Sequence, residues 1–223
     1  MTFSIIARCP QTGQFGAAIA SSSPAVAARC IWGASGVGTV ATQNITDPEL
    51  GLDILELMAR NDTPAEALEK LEDRPYIQYR QLMAIDGSNP PAVFTGAYGL
   101  GLTGSAAGTH AACAGNLLAT PEVPWAMLQA FEHAAGSLAE RLMQAMLAGL
   151  AEGGEAGPVH SAGLLVYGAK RWPMVDLRVD WAEDDPIGEL YAAWKVYEPQ
   201  VQDYLTRAEN PSSAPSYGVP GDP

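Results

Sequence analysis

The periodicity of apolar residues changes along this chain in blocks, and the order of the blocks limits the folds open to it. Residues 2–8 (TFSIIAR) alternate and are rich in β-branched side chains, which is a strand pattern. Pro10 and Gly13 supply a turn, and residues 15–21 (FGAAIAS) read as the returning strand of a hairpin. The small residues crowding that strand imply a close neighbour on one face. Residues 25–32 and 38–43 read as two further strands. A helix follows over 48–60, with Leu50, Ile54, Leu57 and Met58 on one stripe, and a second opens at the capping box Thr63-Pro-Ala-Glu66. Strands are expected at 79–85 and 92–95. The five glycines of 96–109 predict an irregular loop, and 109–115 a short strand leading into Asn116. Two more helices are expected, over 121–135 and from a second capping box at Ser137 to Glu152. Strands at 161–167 and 174–179 follow, then a helix from Asp185-Pro186 that Pro199 interrupts. Strand blocks separated by helix pairs fit a layered α+β protein better than alternating βαβ units.

Length and composition agree with one domain. The chain has 223 residues, 48% of them hydrophobic and only 17% charged, enough to build a large core without a disulfide or metal staple. No linker is visible before about residue 208, so the domain is expected to span 1–208. Residues 209–223, rich in proline, serine and glycine, are expected to form a disordered tail. The net charge of −13 repels phosphate backbones and anionic lipid, which argues against nucleic-acid and membrane-surface partners. No apolar run reaches the ~20 residues of a membrane span. Cys9, Cys30 and Cys113 form no C-x-x-C pair, and no conventional signal peptide precedes them; free thiols in the cytoplasm is the simplest expectation.

Several chemistries lack their residues. His110, His133 and His160 are widely separated, with no H-E-x-x-H motif, so no metal site is expected. The G-L-G-L-T-G run at 99–104 lacks a following helix to hold a phosphate, a G-x-S-x-G elbow is missing, and no cofactor is expected.

The ordered run TFSIIAR, FGAAIASSSPAVAA, GVGTVATQ, YRQLMAID, FTG, AGNLLATPEV, LAERL, SAGLLV, VDLRVD and DPIGEL, spanning residue 1 to about 194, resembles the bacterial domain-of-unknown-function 1028 family. That family's fold is grouped with the N-terminal nucleophile (Ntn) hydrolases. The resemblance implies a four-layer αββα sandwich of two mainly antiparallel sheets. It also implies a nucleophilic Thr, Ser or Cys at the mature N-terminus, whose free α-amine serves as the base. Thr2 fits, because it opens the first strand and its small size permits removal of Met1. An ordinary strand threonine is the duller reading. Asn116, in the AGN stretch, is the implied oxyanion donor, although Gly-Asn is also a common turn.

Ser21, Ser22 and Ser23 end the second strand, where they face the Thr2 end of a neighbour or simply form a turn before Pro24. Gln43 and Asn44 end a buried strand and either line a pocket or cap the chain there. Gln81 reads as a structural hydrogen-bonding residue. The lysine that assists proteasome-like nucleophiles has no early counterpart: the first lysine is Lys70, and Arg29 stays protonated and can only stabilise charge. Two functions remain open: a hydrolase of an amide bond in a small or peptide-like substrate, and a non-catalytic binding or assembly protein that retains the scaffold. Trp125, Trp172, Trp181 and Trp194 in or beside helices and late turns suggest a homo-oligomer, a dimer being expected.

Overall fold

A computed structural model describes residues 1–221; of the expected tail, residues 222 and 223 lie outside the described residues. β1 (Thr2–Cys9) and β2 (Gln14–Ser21) form the opening hairpin. A single helical turn, α1 (Ala27–Cys30), leads to β3 (Ile31–Ala34) and β4 (Gly38–Asn44). Next come α2 (Pro48–Ala59), α3 (Pro64–Glu69), β5 (Arg80–Asp86), β6 (Ala92–Thr95), β7 (Gly104–Ala107) and β8 (Ala111–Asn116). The chain continues through α4 (Val123–His133), α5 (Leu138–Ala151), β9 (Ser161–Tyr167) and β10 (Pro173–Val179). It ends in α6 (Pro186–Tyr197) and α7 (Val201–Glu209).

The strands form two sheets in which every pairing is antiparallel: β10-β9-β2-β1-β8-β7 and β3-β4-β5-β6. Alternation along each strand assigns its two faces to different layers. Phe3 and Ile5 of β1 pack outward under α4 and α5, against Met127, Phe131, Leu142 and Met146. Ile6 of the same strand points the other way and meets Ile19, Ala41, Met83 and Ile85 between the sheets. On the far side Val40, Leu82 and Ala84 pack under α2 and α3, against Leu50, Ile54 and Leu68. The result is the four-layer αββα sandwich, with each buried aliphatic or aromatic side chain contributing roughly 1.5–3 kcal/mol. The small residues of β2 have the neighbour they implied: a Cβ on Gly16 would lie 2.7 Å from Leu142 Cδ1, so α5 rests almost on the backbone.

The far end of β1 is closed by a cation. Arg8 is buried, donating to the carbonyls of Asp86 (2.8 Å), Asn89 (2.7 Å) and Thr109 (2.9 Å) and, through Nε, to His110 Nδ1 (3.3 Å). A buried charge is tolerable only with such a full set of acceptors, and these tie three segments together.

Three local expectations need correction. The strand expected over 25–32 begins as α1, because Ala27, Ala28 and Arg29 are helix formers and Ala25 (φ 50°) turns the chain sharply before them. The expected loop 96–109 contains β7, whose Gly-Ser-Ala-Ala sequence carries no strand signal and is held by pairing with β8. The second capping box is half formed: Ser137 accepts from the Glu140 amide, but the Glu140 carboxylate turns to α6, taking hydrogen bonds from Tyr191, Trp194 and Lys195. The first box, Thr63–Glu66, has both halves.

Helix α7 runs to Glu209, and the chain beyond folds back on it, with the Arg207 guanidinium 3.9 Å from the Tyr217 ring and 3.0 Å from the Pro215 carbonyl. Among the described residues no helix is long and apolar enough to cross a membrane.

Candidate functional site

Between the sheets the core is apolar in the middle and polar at one end, as the strand registers require. Thr2 lies opposite Asn116 of β8, and the same ladder brings Ser21 of β2 beside Thr2 and Ser161 of β9 beside Ser21. One row of the six-stranded sheet therefore reads Ser161, Ser21, Thr2, Asn116, all buried. The opposing sheet presents its own polar row, Gln43 of β4, Gln81 of β5 and Thr95 of β6. Two residues further in on the same faces, the positions become Ile19, Ala41, Met83 and Ala114.

The polar groups satisfy one another in a directed chain. Ser4 Oγ donates to Gln43 Oε1 (2.6 Å), and Gln43 Nε2 to Gln81 Oε1 (2.8 Å). Gln81 Nε2 donates to Thr95 Oγ1 and to the Gly115 carbonyl, both at 3.1 Å. Asn116 Nδ2 lies 3.4 Å from Gln81 Oε1, which fixes its amide orientation and leaves Oδ1 buried with no partner among the described residues. Thr2 Oγ1 is 3.3 Å from Ser21 Oγ, and both hydroxyls donate to the Met1 carbonyl. Ser21 Oγ also accepts from the Ser23 amide (3.1 Å).

The strands thus bring together Thr2, Asn116, Ser21 and Gln43. Ser22 and Ser23 join through their backbones: the Ser23 carbonyl accepts from Ser161 Oγ (2.6 Å), and the Ser22 amide donates to a carboxylate. Asn44 is not part of this cluster. In a left-handed conformation (φ 75°) it donates to the carbonyls of Tyr79 (2.6 Å) and Tyr98 (3.4 Å) and accepts from the Leu100 amide, holding the 96–103 loop. Arg29 turns back on its own segment, to the carbonyls of Pro24 and Ala25.

The carboxylate on Ser22 belongs to Glu155, which no sequence motif marks as a site residue. Both its oxygens accept from Ser22 N–H, at 3.1 and 3.2 Å, and an isolated bridge with Leu118 pins its backbone. Only 5% of the residue is exposed. Burial pushes its pKa up to about 7, against the opposing pull of the α-amine at the chain start, the Ser22 hydrogen bonds and His160. It borders a cavity of about 210 Å³ that Leu150, Val159, Asp185 and Ile187 also line. The only trace in the sequence is its setting, a lone acid within GGEAG, where glycines let the chain pass close to the β8 end. Among the described residues no group of three or more His, Cys, Asp or Glu side chains is placed to hold a metal ion.

This cluster combines a hydroxyl pair at the start of a central strand, an amide opposite it and a carboxyl near neutrality beside it. Such an arrangement suits nucleophilic chemistry more than metal or phosphate chemistry. None of the functionally curated proteins matches the chain. Protein SPO2555 from Silicibacter pomeroyi, a DUF1028 protein of known crystal structure, is 30% identical, with 88% of each chain covered and a TM-score of 0.82. More distant are BPH of Thiobacillus denitrificans in complex with epoxomicin (14% identity, 76% of this chain and 100% of that one) and Anbu, the ancestral β-subunit, from Yersinia bercovieri (12%, 92% and 97%). Both have a TM-score of 0.41. The model of the family of unknown function DUF1028 matches residues 2–190, and the chain belongs to that family.

Proposed function

We propose that this protein is a hydrolase of the N-terminal nucleophile type that cleaves an amide bond in a small or peptide-like substrate, with Thr2 as nucleophile once Met1 is removed. The observation that supports it is the placement of Thr2: first residue of a central strand, side chain between the sheets, directly opposite Asn116 and 3.3 Å from a second hydroxyl. Thr2 Oγ1 attacks the substrate carbonyl carbon while its own α-amine takes the hydroxyl proton. The tetrahedral oxyanion is held by Asn116 through the Nδ2 hydrogen not directed at Gln81, and that proton then passes from the α-amine to the departing amine. Water, deprotonated by the same α-amine, cleaves the resulting ester and frees Thr2. Ser21 hydrogen-bonds the attacking hydroxyl, Gln43 holds the network behind it, and Glu155 fixes the Ser22 backbone next to the new terminus.

The second reading, a binding or assembly protein on the same scaffold, applies to a chain that keeps Met1. With Met1 attached, its carbonyl takes the hydrogen bonds of both Thr2 and Ser21 and the free amine belongs to the wrong residue. Intact-mass spectrometry on the purified chain, followed by assay on a panel of amides, separates the two. The processed form is expected to turn over at least one amide, Thr2→Ala to be inactive while still folded, and Thr2→Ser to keep partial activity. Equal turnover by a preparation that retains Met1, or by Thr2→Ala, would move the nucleophile elsewhere. A verified free Thr2 that hydrolyses nothing in the panel would favour the binding protein.

A further inference from the structure

The 37 charged side chains implied by 12 basic and 25 acidic residues are unevenly placed. From Gly87 through Pro121 there is no Asp, Glu, Lys or Arg. That stretch contains the outermost strand of each sheet on one side of the sandwich, β6 and β7, which neighbour each other. It also exposes Tyr98, Leu100 and Leu102 on the loop leading into β7. The Leu117 and Leu118 amides donate to the Leu100 and Leu102 carbonyls, so this loop is fastened beside the polar cluster and is not a loose excursion.

Natural sheets protect an outer strand with charge, proline or a bulge. β10, at the opposite border of the same sheet, has all three: it opens with Pro173, carries a register shift between Pro173 and Val175, and projects the Asp176–Arg178 ion pair. β3 is covered by Tyr167, whose ring a Cβ on Gly33 would meet at 2.7 Å. β7 has none of these protections. Its Gly-Ser-Ala-Ala side chains are small enough to let another backbone approach, and it pairs on one side only, with β8.

We infer that the β7 border, with the uncharged loop leading into it, is where a second copy of this chain docks, β7 pairing antiparallel with its counterpart across a two-fold axis. Charge selects the partner. Two copies at −13 each repel wherever their acidic faces come within a Debye length of ~8–10 Å, and this border is where each presents no charge of its own. Glu132 of α4, which a Cβ on Gly108 would meet at 2.3 Å, marks the limit of the neutral strip. The pairing joins two six-stranded sheets and is independent of the catalytic reading.

Sedimentation equilibrium of the full chain from about 1 to about 100 µM tests this. The expected mass is twice 23.4 kDa. Ser105→Glu or Ala107→Glu, both at exposed positions, sets like charges on facing strands and is expected to weaken association by roughly tenfold or more. Trp172→Ser, in the cleft beside α7, is expected to leave the mass unchanged. Circular dichroism confirms that each variant is folded, and amide exchange at 104–107 should be slow in the dimer and fast in the Glu variants. A wild-type monomer across the range overturns the inference, as do Glu variants that dimerise like wild type. So does a monomer whose 104–107 amides become protected only when an extended peptide is added, since the border then serves a peptide.

Discussion

Replacing Glu155 by glutamine should make the protein more stable in mildly alkaline solution and change little in acid. The wild-type carboxyl sits at about 7 when folded, against 4.5 for the ordinary group, because burial penalises its charged form more than the chain-start amine, the Ser22 amide and His160 favour it. A carboxyl raised in this way binds its proton more tightly in the folded state. Its contribution is fully present below about 4.5 and is lost as pH rises through about 7. A shift of about 2.5 units at 1.36 kcal/mol each corresponds to about 3 kcal/mol of native-state cost once the group is ionised. Glutamine removes the charge and keeps one oxygen for the Ser22 amide, at the loss of the second contact, worth about 1 kcal/mol. The variant should therefore gain about 2 kcal/mol at pH 8 and lie within about 1 kcal/mol of wild type at pH 5. Urea unfolding at several pH values, followed by tryptophan fluorescence, measures this through the midpoint at constant slope. A variant less stable than wild type at pH 8 would refute the reasoning, since ionised Glu155 would then be a net stabilising acceptor for the Ser22 amide.

Two further substitutions probe the frame around the site. Glu140, where burial is outweighed by hydrogen bonds from Lys195, Gln144, Trp194 and Tyr191 that hold the carboxyl down to about 2, behaves with the opposite sign. Its stabilisation is present above about 4.5 and lost as pH falls through about 2; with solvent screening of this partly exposed group, Glu140→Gln should cost about 1 kcal/mol at pH 7 and progressively less as pH falls toward 2, read from the same unfolding curves. Asn44→Gly suits the left-handed backbone but removes the contacts to Tyr79, Tyr98 and Leu100. Amide exchange of Leu100 should accelerate by roughly tenfold while global stability moves by less than about 1 kcal/mol.

The parts of this fold that could be read in advance are those specified locally. Thr63 with Glu66, Asp185 with Pro186, and the alternating apolar residues of β1 and β9 each announce their element within a few positions. β7 was missed because Gly104–Ala107 has no propensity of its own; its partner strand, seven residues on, makes it a strand. The same division holds at the site. Thr2 is reached through the family resemblance, and Ser21 and Gln43 as polar residues at the ends of apolar strands; that they meet on one inner face is set by the strand registers. Glu155 does not stand out, because its burial comes from a bridge to Leu118, 37 positions earlier, that no window of sequence contains. Asn44, which the sequence leaves as pocket lining or chain-end cap, takes the second role: adjacent to Gln43, it points to the other side of the chain and holds the turn there.

The register between Thr2 and Asn116 sets an order of events during synthesis. The first residue cannot reach its final surroundings until the strand ending at residue 116 has left the ribosome, which at ordinary elongation rates takes on the order of ten seconds. Throughout that interval the Met1–Thr2 bond is carried at most on the β1–β2 hairpin, without its β8 neighbour. Afterwards the Met1 carbonyl is clasped by two hydroxyls beneath a second sheet. Under the proposed mechanism, excision of Met1 is thus a race against pairing with β8, and a host that translates quickly or processes slowly would accumulate a capped population within an otherwise identical fold.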